Sequence, residues 1–432
     1  MKRNRFILIF YLFLTAAFAC QNRINEKVET NAIAPAFQRI TIDTVFRSES
    51  VTAADIDQDG ALDIVVGDVW YAAPDWQIHE IRTPGAFLNT VFQEDKPASE
   101  FDYYSNSFAV QSMDVNQDGW PDVIVYPVMN QPIFWYENPK GENRHWQERK
   151  IVEAYHGESP RLVDLLNNGK MGALAGVNTD DSLYHLGWIQ PGDHLDSLWQ
   201  VFTIGSTKQL AIRGPEWDTK SKWFAPGARD HGLGFGDLNG DGRNDVLTSR
   251  GWYEAPVNTN EENWKLHYLA LDSLADPEYP QYIFAQMPIF DIDQDGDGDF
   301  VGTSAHRYGL WWFEQKSSNT FSKHEIPIQM SQVHSVALGD ANNNGVPDII
   351  TGKRYLAHNG NDPGWDEPLR IIWMEPELDS VGQVSFLIKE IDVGVGVGTQ
   401  IEITDINEDG KEDLLTSNKK GTYLFLQIDQ AD

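Results

Sequence analysis

The 432-residue sequence contains one cysteine, Cys20, so no internal disulfide framework can brace the fold. Basic residues are also scarce, with 33 Lys and Arg against 65 Asp and Glu and a net charge of −32. That balance argues against a nucleic-acid partner. A polyanionic substrate would be repelled at long range and would need a locally basic pocket. Long apolar runs are limited to one, residues 6–19 at the very start, which is too short to span a bilayer as a mature helix. A GxSxG elbow, a P-loop and an HExxH motif are all missing. The glycine-rich GVGVGTQ (394–400) leads into a strand and has no helix to cradle phosphate, so it reads as a close approach to a central channel.

The apolar run follows Lys2, Arg3 and Arg5 and ends in Ala17-Phe18-Ala19-Cys20, the layout of a secretory signal peptide. A cysteine placed just after small residues resembles the bacterial lipoprotein signal, which implies lipidation of Cys20. The expectation is a leader over 1–20, a flexible tether over 21–36, and an exported body anchored by lipid in the bacterial envelope, periplasmic or at the cell surface. Without the leader, 65 acids face 30 bases, a net of −35.

What the sequence has in abundance is one acidic loop. DIDQDGALD begins at Asp55, with acidic side chains at positions one, three, five and nine and glycine at six. An EF-hand would need Glu at position twelve and flanking helices, but Val66 stands there and the flanks are β-branched and aromatic. The loop therefore joins two strands. It recurs as DVNQDGWPD from Asp114, DLNGDGRND from Asp237, DIDQDGDGD from Asp291, DANNNGVPD from Asp340 and DINEDGKED from Asp405. A worn copy, DLLNNGKMG, starts at Asp164 and carries Leu166 and Gly172 where ligands should stand. The seven starts lie 49 to 73 residues apart. A tryptophan- or tyrosine-rich strand follows each loop (VWYAAP, FWYENP, LGWIQP, GWYEAP, LWWFEQ, IIWMEP, TYLFLQ), and then a fourth such as WQIHEI or FSKHEI. The fourth strand has only six copies after their loops. The seventh, FQRITI (37–42), precedes every loop. Four strands at this period predict an all-β, seven-bladed propeller over 37–430 whose N-terminal strand completes the last blade and removes a free edge.

GFGDLNGDGRNDVLTSRGWYEAP (234–256) resembles the FG-GAP or VCBS repeat, the blade of integrin-type propellers. The resemblance covers roughly residues 37–430 and implies one calcium ion in each intact loop. Its ligands would be Asp55, Asp57, Asp59 and Asp63; Asp114, Asn116, Asp118 and Asp122; Asp237, Asn239, Asp241 and Asp245; Asp291, Asp293, Asp295 and Asp299; Asp340, Asn342, Asn344 and Asp348; and Asp405, Asn407, Asp409 and Asp413. The worn third loop is expected to hold none. Loop positions hold 20 of the 65 acids, which would repel one another in tight turns without a cation. Calcium is thus expected as a structural staple in a disulfide-free chain.

The acidic loops all fall on one face, and the long connections 84–107, 207–230, 272–284 and 353–370 fall on the other. Their aromatic content argues for order. His231 and His334 stand six residues before a loop aspartate, where other blades have Glu49, Phe108, Glu158, Ala285 and Thr399, so blade architecture does not demand histidine. His306, Arg307 and Tyr308, then Lys353, Arg354, Tyr355 and His358, fall in two-to-three turns on the same face, as does Arg250, and His156 lies nearby. Neutral imidazoles from neighbouring blades can bind a single transition metal, for which His231, His306 and His334 are the candidates. Arg and Lys can neutralise a carboxylate or oxyanion, and tyrosine or histidine can move a proton. Ordinary polar packing at a channel rim remains the competing reading. Tryptophans of the third strands read as blade core, whereas Trp217, Trp223 and Trp365 sit in open-face loops and can stack on a sugar ring.

HGLGFGD, GWYEAP and GKRYLAH resemble the propeller of aldos-2-ulose dehydratase, which implies a carbohydrate partner and elimination or dehydration chemistry. The same fold serves non-catalytic capture of glycans or proteins, so enzyme and binding module both stand as expectations, the chain acting as a monomer.

Overall fold

The computed structural model describes residues 35–88, 103–128, 130–180, 183–192, 194–206, 212–213, 223–224, 227–228, 231–258, 261–269 and 284–429. Cys20 and the leader lie outside them, as do Trp217 and most of the 207–230 and 272–284 connections. Among the described residues no helix is long and apolar enough to cross a membrane.

Six four-stranded sheets, and a seventh in which two short segments extend the four blade strands, make up a seven-bladed β-propeller whose blade strands pair antiparallel. Blade 1 is Thr52–Ala54, Asp63–Val66, Val69–Ala72 and Gln77–Glu80, paired in that order from the inner strand outward. Blade 2 starts with Ala109–Met113, blade 3 with Tyr155–Val163, blade 4 with Leu233–Gly236, blade 5 with Ile289–Phe290, blade 6 with Val333–Gly339 and blade 7 with Ile401–Thr404. Blade 7 ends at Gly421–Ile428, and Ala36–Asp43 pairs antiparallel to that strand as its fourth, Phe37 opposite Gln427 and Ile40 opposite Leu424. The expected offset closure is thus the observed one.

The core lies between blades rather than within them. Blade 3 residues Leu174, Leu186 and Trp188 pack with Leu233, Val246 and Tyr253 of blade 4, and equivalent clusters join other neighbours. Third-strand tryptophans Trp135, Trp252 and Trp373 are among the largest fully buried side chains, as their spacing predicts. Fourth-strand histidines stack on these indoles: His79 on Trp70, His267 on Trp252 and His324 on Trp312, with centroids 4.0–4.5 Å apart. They are packing residues.

The acidic loops fold through backbone amides. In blade 2 the first aspartate, Asp114, accepts N–H bonds from Asp118 and Gly119 at 3.0 and 2.8 Å. The worn loop keeps this pair, Asp164 accepting from Asn168 and Gly169, so the turn does not depend on acidic side chains at the later positions. The sixth-position glycines sit at positive φ, such as Gly119 at 91°, which other residues adopt only with strain. The ninth aspartate does something different. Asp299 accepts from Ile292 N at 3.2 Å and Gln315 N at 2.7 Å, binding its loop to the third strand. Asp63, Asp122, Asp245 and Asp413 bridge the same two places. Side-chain amides then tie adjacent blades: Asn138 donates to Ile56 O, Gln315 to Leu238 O and Gln427 to Ala341 O.

Both partly described insertions contain short paired segments. Ala86–Leu88 pairs with Tyr103–Ser105, and Ile212–Arg213 pairs with Trp223–Phe224, which extends blade 3 alongside Leu183–Gln190.

Candidate functional site

At the channel mouth opposite the acidic loops, three histidines from three blades converge. Their ligand nitrogens lie within 4.8 Å of one another. Local backbone irregularity aims them. His334 is the extra residue of a β-bulge between Val333 and Ser335, which turns it off the strand's alternation. His231 precedes Gly232, whose φ of 86° and tight surroundings (an added Cβ would meet Ser249 Oγ at 3.0 Å) favour glycine. His306 projects from the turn after Asp299–Thr303. A second irregularity, between His156 and Arg161, carries Glu158.

Each imidazole presents its Nδ1 to an oxygen. His306 Nδ1 lies 3.1 Å from Asp362 Oδ2, His231 Nδ1 3.5 Å from Glu158 Oε2, and His334 Nδ1 3.3 Å from Gln332 O. These acceptors call for protons on all three Nδ1 atoms, which leaves the Nε2 lone pairs pointing inward. His306 Nε2 and His231 Nε2 are 2.8 Å apart. Two bare lone pairs at that distance repel unless a proton or cation lies between them. Imidazoles oriented through Nδ1 by carboxylate or carbonyl are the usual outer arrangement of a metal-binding histidine set.

Beside the histidines runs a chain of buried charges. Arg354 Nε donates to Glu49 Oε2 at 2.9 Å and Arg354 Nη1 lies 3.5 Å from Glu158 Oε2. Lys419 Nζ lies 3.4 Å from Glu49 Oε1 and donates to Leu356 O at 2.9 Å. Burial pushes the Glu49 carboxyl up, but Arg354 and Lys419 together outweigh it and hold the group below the usual carboxylate range. Burial pushes the Lys419 ammonium down to about 8. Lys353 donates to Ser331 Oγ at 3.0 Å and to Gly364 O, and burial lowers its pKa too.

The structure therefore joins His231, His306 and His334 and places Arg354 one carboxylate away. Lys353 and Arg354 are tied into the fold. Tyr355 lies under Lys420 Nζ, 5.4 Å from the ring centroid, toward blade 7. Arg307 anchors the turn through its backbone, its N–H donating to Ser304 Oγ and its carbonyl accepting from Gln332 N. His156 is buried against Asn130 Oδ1 and the Tyr184 ring, a packing role apart from the cluster. On the rim, Tyr308 donates to Glu367 Oε1 at 2.5 Å, and Trp365 is 48% exposed. Asp362, Glu367 and Lys419 escaped the sequence reading. Lys419 stands six residues after the ninth loop aspartate in blade 7, as Arg354 does in blade 6, so a comparison of those turns would have found it.

On the opposite face, Asp55, Asp57 and Asp63 bring carboxylate oxygens within 4.8 Å, as do Asp291, Asp293 and Asp295. Burial first, with like charges added, pushes the ninth-position carboxyls up to about 6 for Asp63 and Asp413 and about 7 for Asp122, Asp245, Asp299 and Asp348. Both the acidic groups and the histidine group can hold a metal.

Comparison with known families matches residues 291–351 to the FG-GAP-like repeat. That segment spans blade 5 from its loop to the second strand of blade 6. No curated protein matches the chain.

Proposed function

We propose that this FG-GAP-type propeller binds a carbohydrate at the channel mouth, over a transition metal held by His231, His306 and His334, and acts on it by elimination or dehydration. The observation that supports this most is the trio of converging Nε2 atoms, each imidazole oriented by an oxygen at Nδ1. A metal in such a set supplies Lewis acidity toward a carbonyl or carboxylate oxygen. Around it, Glu158 and Asp362 orient imidazoles, Arg354 keeps positive charge beside the site, and the Tyr308–Glu367 pair exchanges a proton at the rim. Trp365 offers an exposed ring for a sugar face.

The acidic loops form the structural half of the proposal. An oxygen-only ligand set suits a hard cation, and calcium in the six intact loops would relieve carboxylate repulsion there. Six ions would bring the net charge without the leader from −35 to about −23. The protein is further proposed to be exported as a monomer and anchored through lipid on Cys20, which loss of labelled fatty acid from a Cys20→Ala variant would test.

A second reading, non-catalytic capture of a glycan or protein, is favoured by Lys353 and Arg354 each being committed to internal partners. Elemental analysis separates the two. The enzyme reading expects about one zinc, manganese or iron beyond calcium, lost in a His231→Ala/His334→Ala variant that keeps its calcium and fold. Calcium alone in both proteins would end the metal-enzyme reading and leave capture.

A further inference from the structure

Beneath the histidine site the channel is crossed by two glutamines. Gln400 of blade 7 donates to Pro160 O of blade 3 at 2.9 Å and accepts from Ser50 Oγ of blade 1. Gln286 of blade 5 donates to Thr399 O and accepts from Val336 N. Both stand five residues before a loop aspartate, a level filled elsewhere by Ser50, Ala109, Ser159, Gly232 and Ser335. This layer separates the mouth from a cavity of about 550 Å³ on its loop side, lined by inner strands of all seven blades.

The next level down, three residues before each loop aspartate, holds Thr52, Gln111, Arg161, Gly234, Pro288, Ala337 and Glu402. Five are uncharged. Arg161 and Glu402 belong to blades 3 and 7, the blades that Gln400 spans across the channel. Their side chains do not touch: among the described residues neither side chain makes an ion pair or hydrogen bond, and each feels only the other's charge. Both stay in contact with the cavity while protein surrounds them. Burial pushes Arg161 down to about 10 and Glu402 up to about 7, and each one's charge partly offsets the other's shift. The remaining wall includes the half-buried aliphatic residues Leu162, Ile289, Leu338 and Ile403.

We propose that this lower channel is a second binding site, for a small zwitterion with an apolar body, of the class of the aliphatic α-amino acids. The ligand carboxylate accepts from the Arg161 guanidinium, its ammonium donates to Glu402, and its side chain lies against the aliphatic wall. A plain carboxylate would leave Glu402 opposed to it, and a plain amine would leave Arg161 opposed to it. Access is from the loop face, where Phe235 and Met171 stand exposed at the cavity edge.

Titration calorimetry of the purified protein with leucine, 4-methylpentanoate and 3-methylbutylamine tests the assignment. Leucine is expected to bind, with each half-analogue weaker by about tenfold or more. Arg161→Gln and Glu402→Gln are each expected to weaken leucine by a similar factor. Ala337→Phe, which fills the cavity and keeps both charges, is expected to block it, and it decides the matter should a charge variant fail to fold. The proposal is overturned if leucine does not bind, if 4-methylpentanoate binds as well as leucine, or if Ala337→Phe leaves binding unchanged. His231→Ala/His334→Ala is expected to leave leucine binding intact, so the two sites fail or succeed separately.

Discussion

Of two aspartates in the same loop, only one should lose its importance when cations are removed. Asp299 and Asp293 both belong to the blade 5 loop. Asp299 is fully buried and receives two backbone N–H bonds, from Ile292 and Gln315. Replacing it with alanine strands both donors, and an unmet buried donor costs about 1–3 kcal/mol, so Asp299→Ala should lose roughly 2–6 kcal/mol. That loss should persist in chelator, because the bonds need no ion. Asp293 receives only a 3.3 Å bond from Asp295, and burial and the neighbouring Asp295 raise its pKa. In chelator, Asp293→Ala removes repulsion and should cost nothing, or stabilise by a few tenths of a kcal/mol. In calcium, with the loop filled as proposed, it would remove a ligand, and a ten- to hundredfold loss of affinity corresponds to about 1.4–2.7 kcal/mol. Urea unfolding followed by tryptophan fluorescence, with and without chelator, gives all four values. The reasoning is refuted if Asp299→Ala costs under about 1 kcal/mol in chelator, or if Asp293→Ala is equally destabilising in both conditions.

Arg354→Met should cost about 3–5 kcal/mol by leaving Glu49 buried without its main partner, and adding Glu49→Leu should recover much of it in the same urea assay. Asp362→Ala should weaken transition-metal binding about 10–100-fold with little change in unfolding midpoint, measured by metal competition. Glu402, raised from its usual value to about 7, binds its proton more tightly folded than unfolded. Its stabilisation is complete below the unfolded value and is lost as pH rises through 7. The parent should therefore lose on the order of 1–3 kcal/mol relative to Glu402→Gln between pH 4.5 and 7.5, read from unfolding curves across that range. Deleting residues 36–43 should expose the edge of Gly421–Ile428 and produce association, visible by light scattering.

The blade count, strand order and closing strand were legible because the loop repeats and its offset is written in FQRITI. The histidine trio was legible for a different reason: His231 and His334 stood where the other blades needed no histidine. Its outer partners were not. Asp362 reaches His306 across 56 residues and a long connection, and Glu158 acquires its direction from a backbone irregularity that leaves no pattern in sequence. The ninth aspartate was read only as a ligand, because hydrogen bonds from backbone amides have no residue signature. The glutamine layer was equally hidden, as its bonds cross the ring between blades distant in the chain.

The borrowed strand of blade 7 also sets an order in time. Ala36–Asp43 is made first, and its partner Gly421–Ile428 is made last. Until that moment the leading strand has no blade to enter and the ring has a gap. Contacts separated by nearly the whole chain are slow to form. That pairing is therefore expected to be among the last to form. The strength of the ring thus rests on a single joint between the two ends of the folded chain, Ala36–Asp43 against Gly421–Ile428.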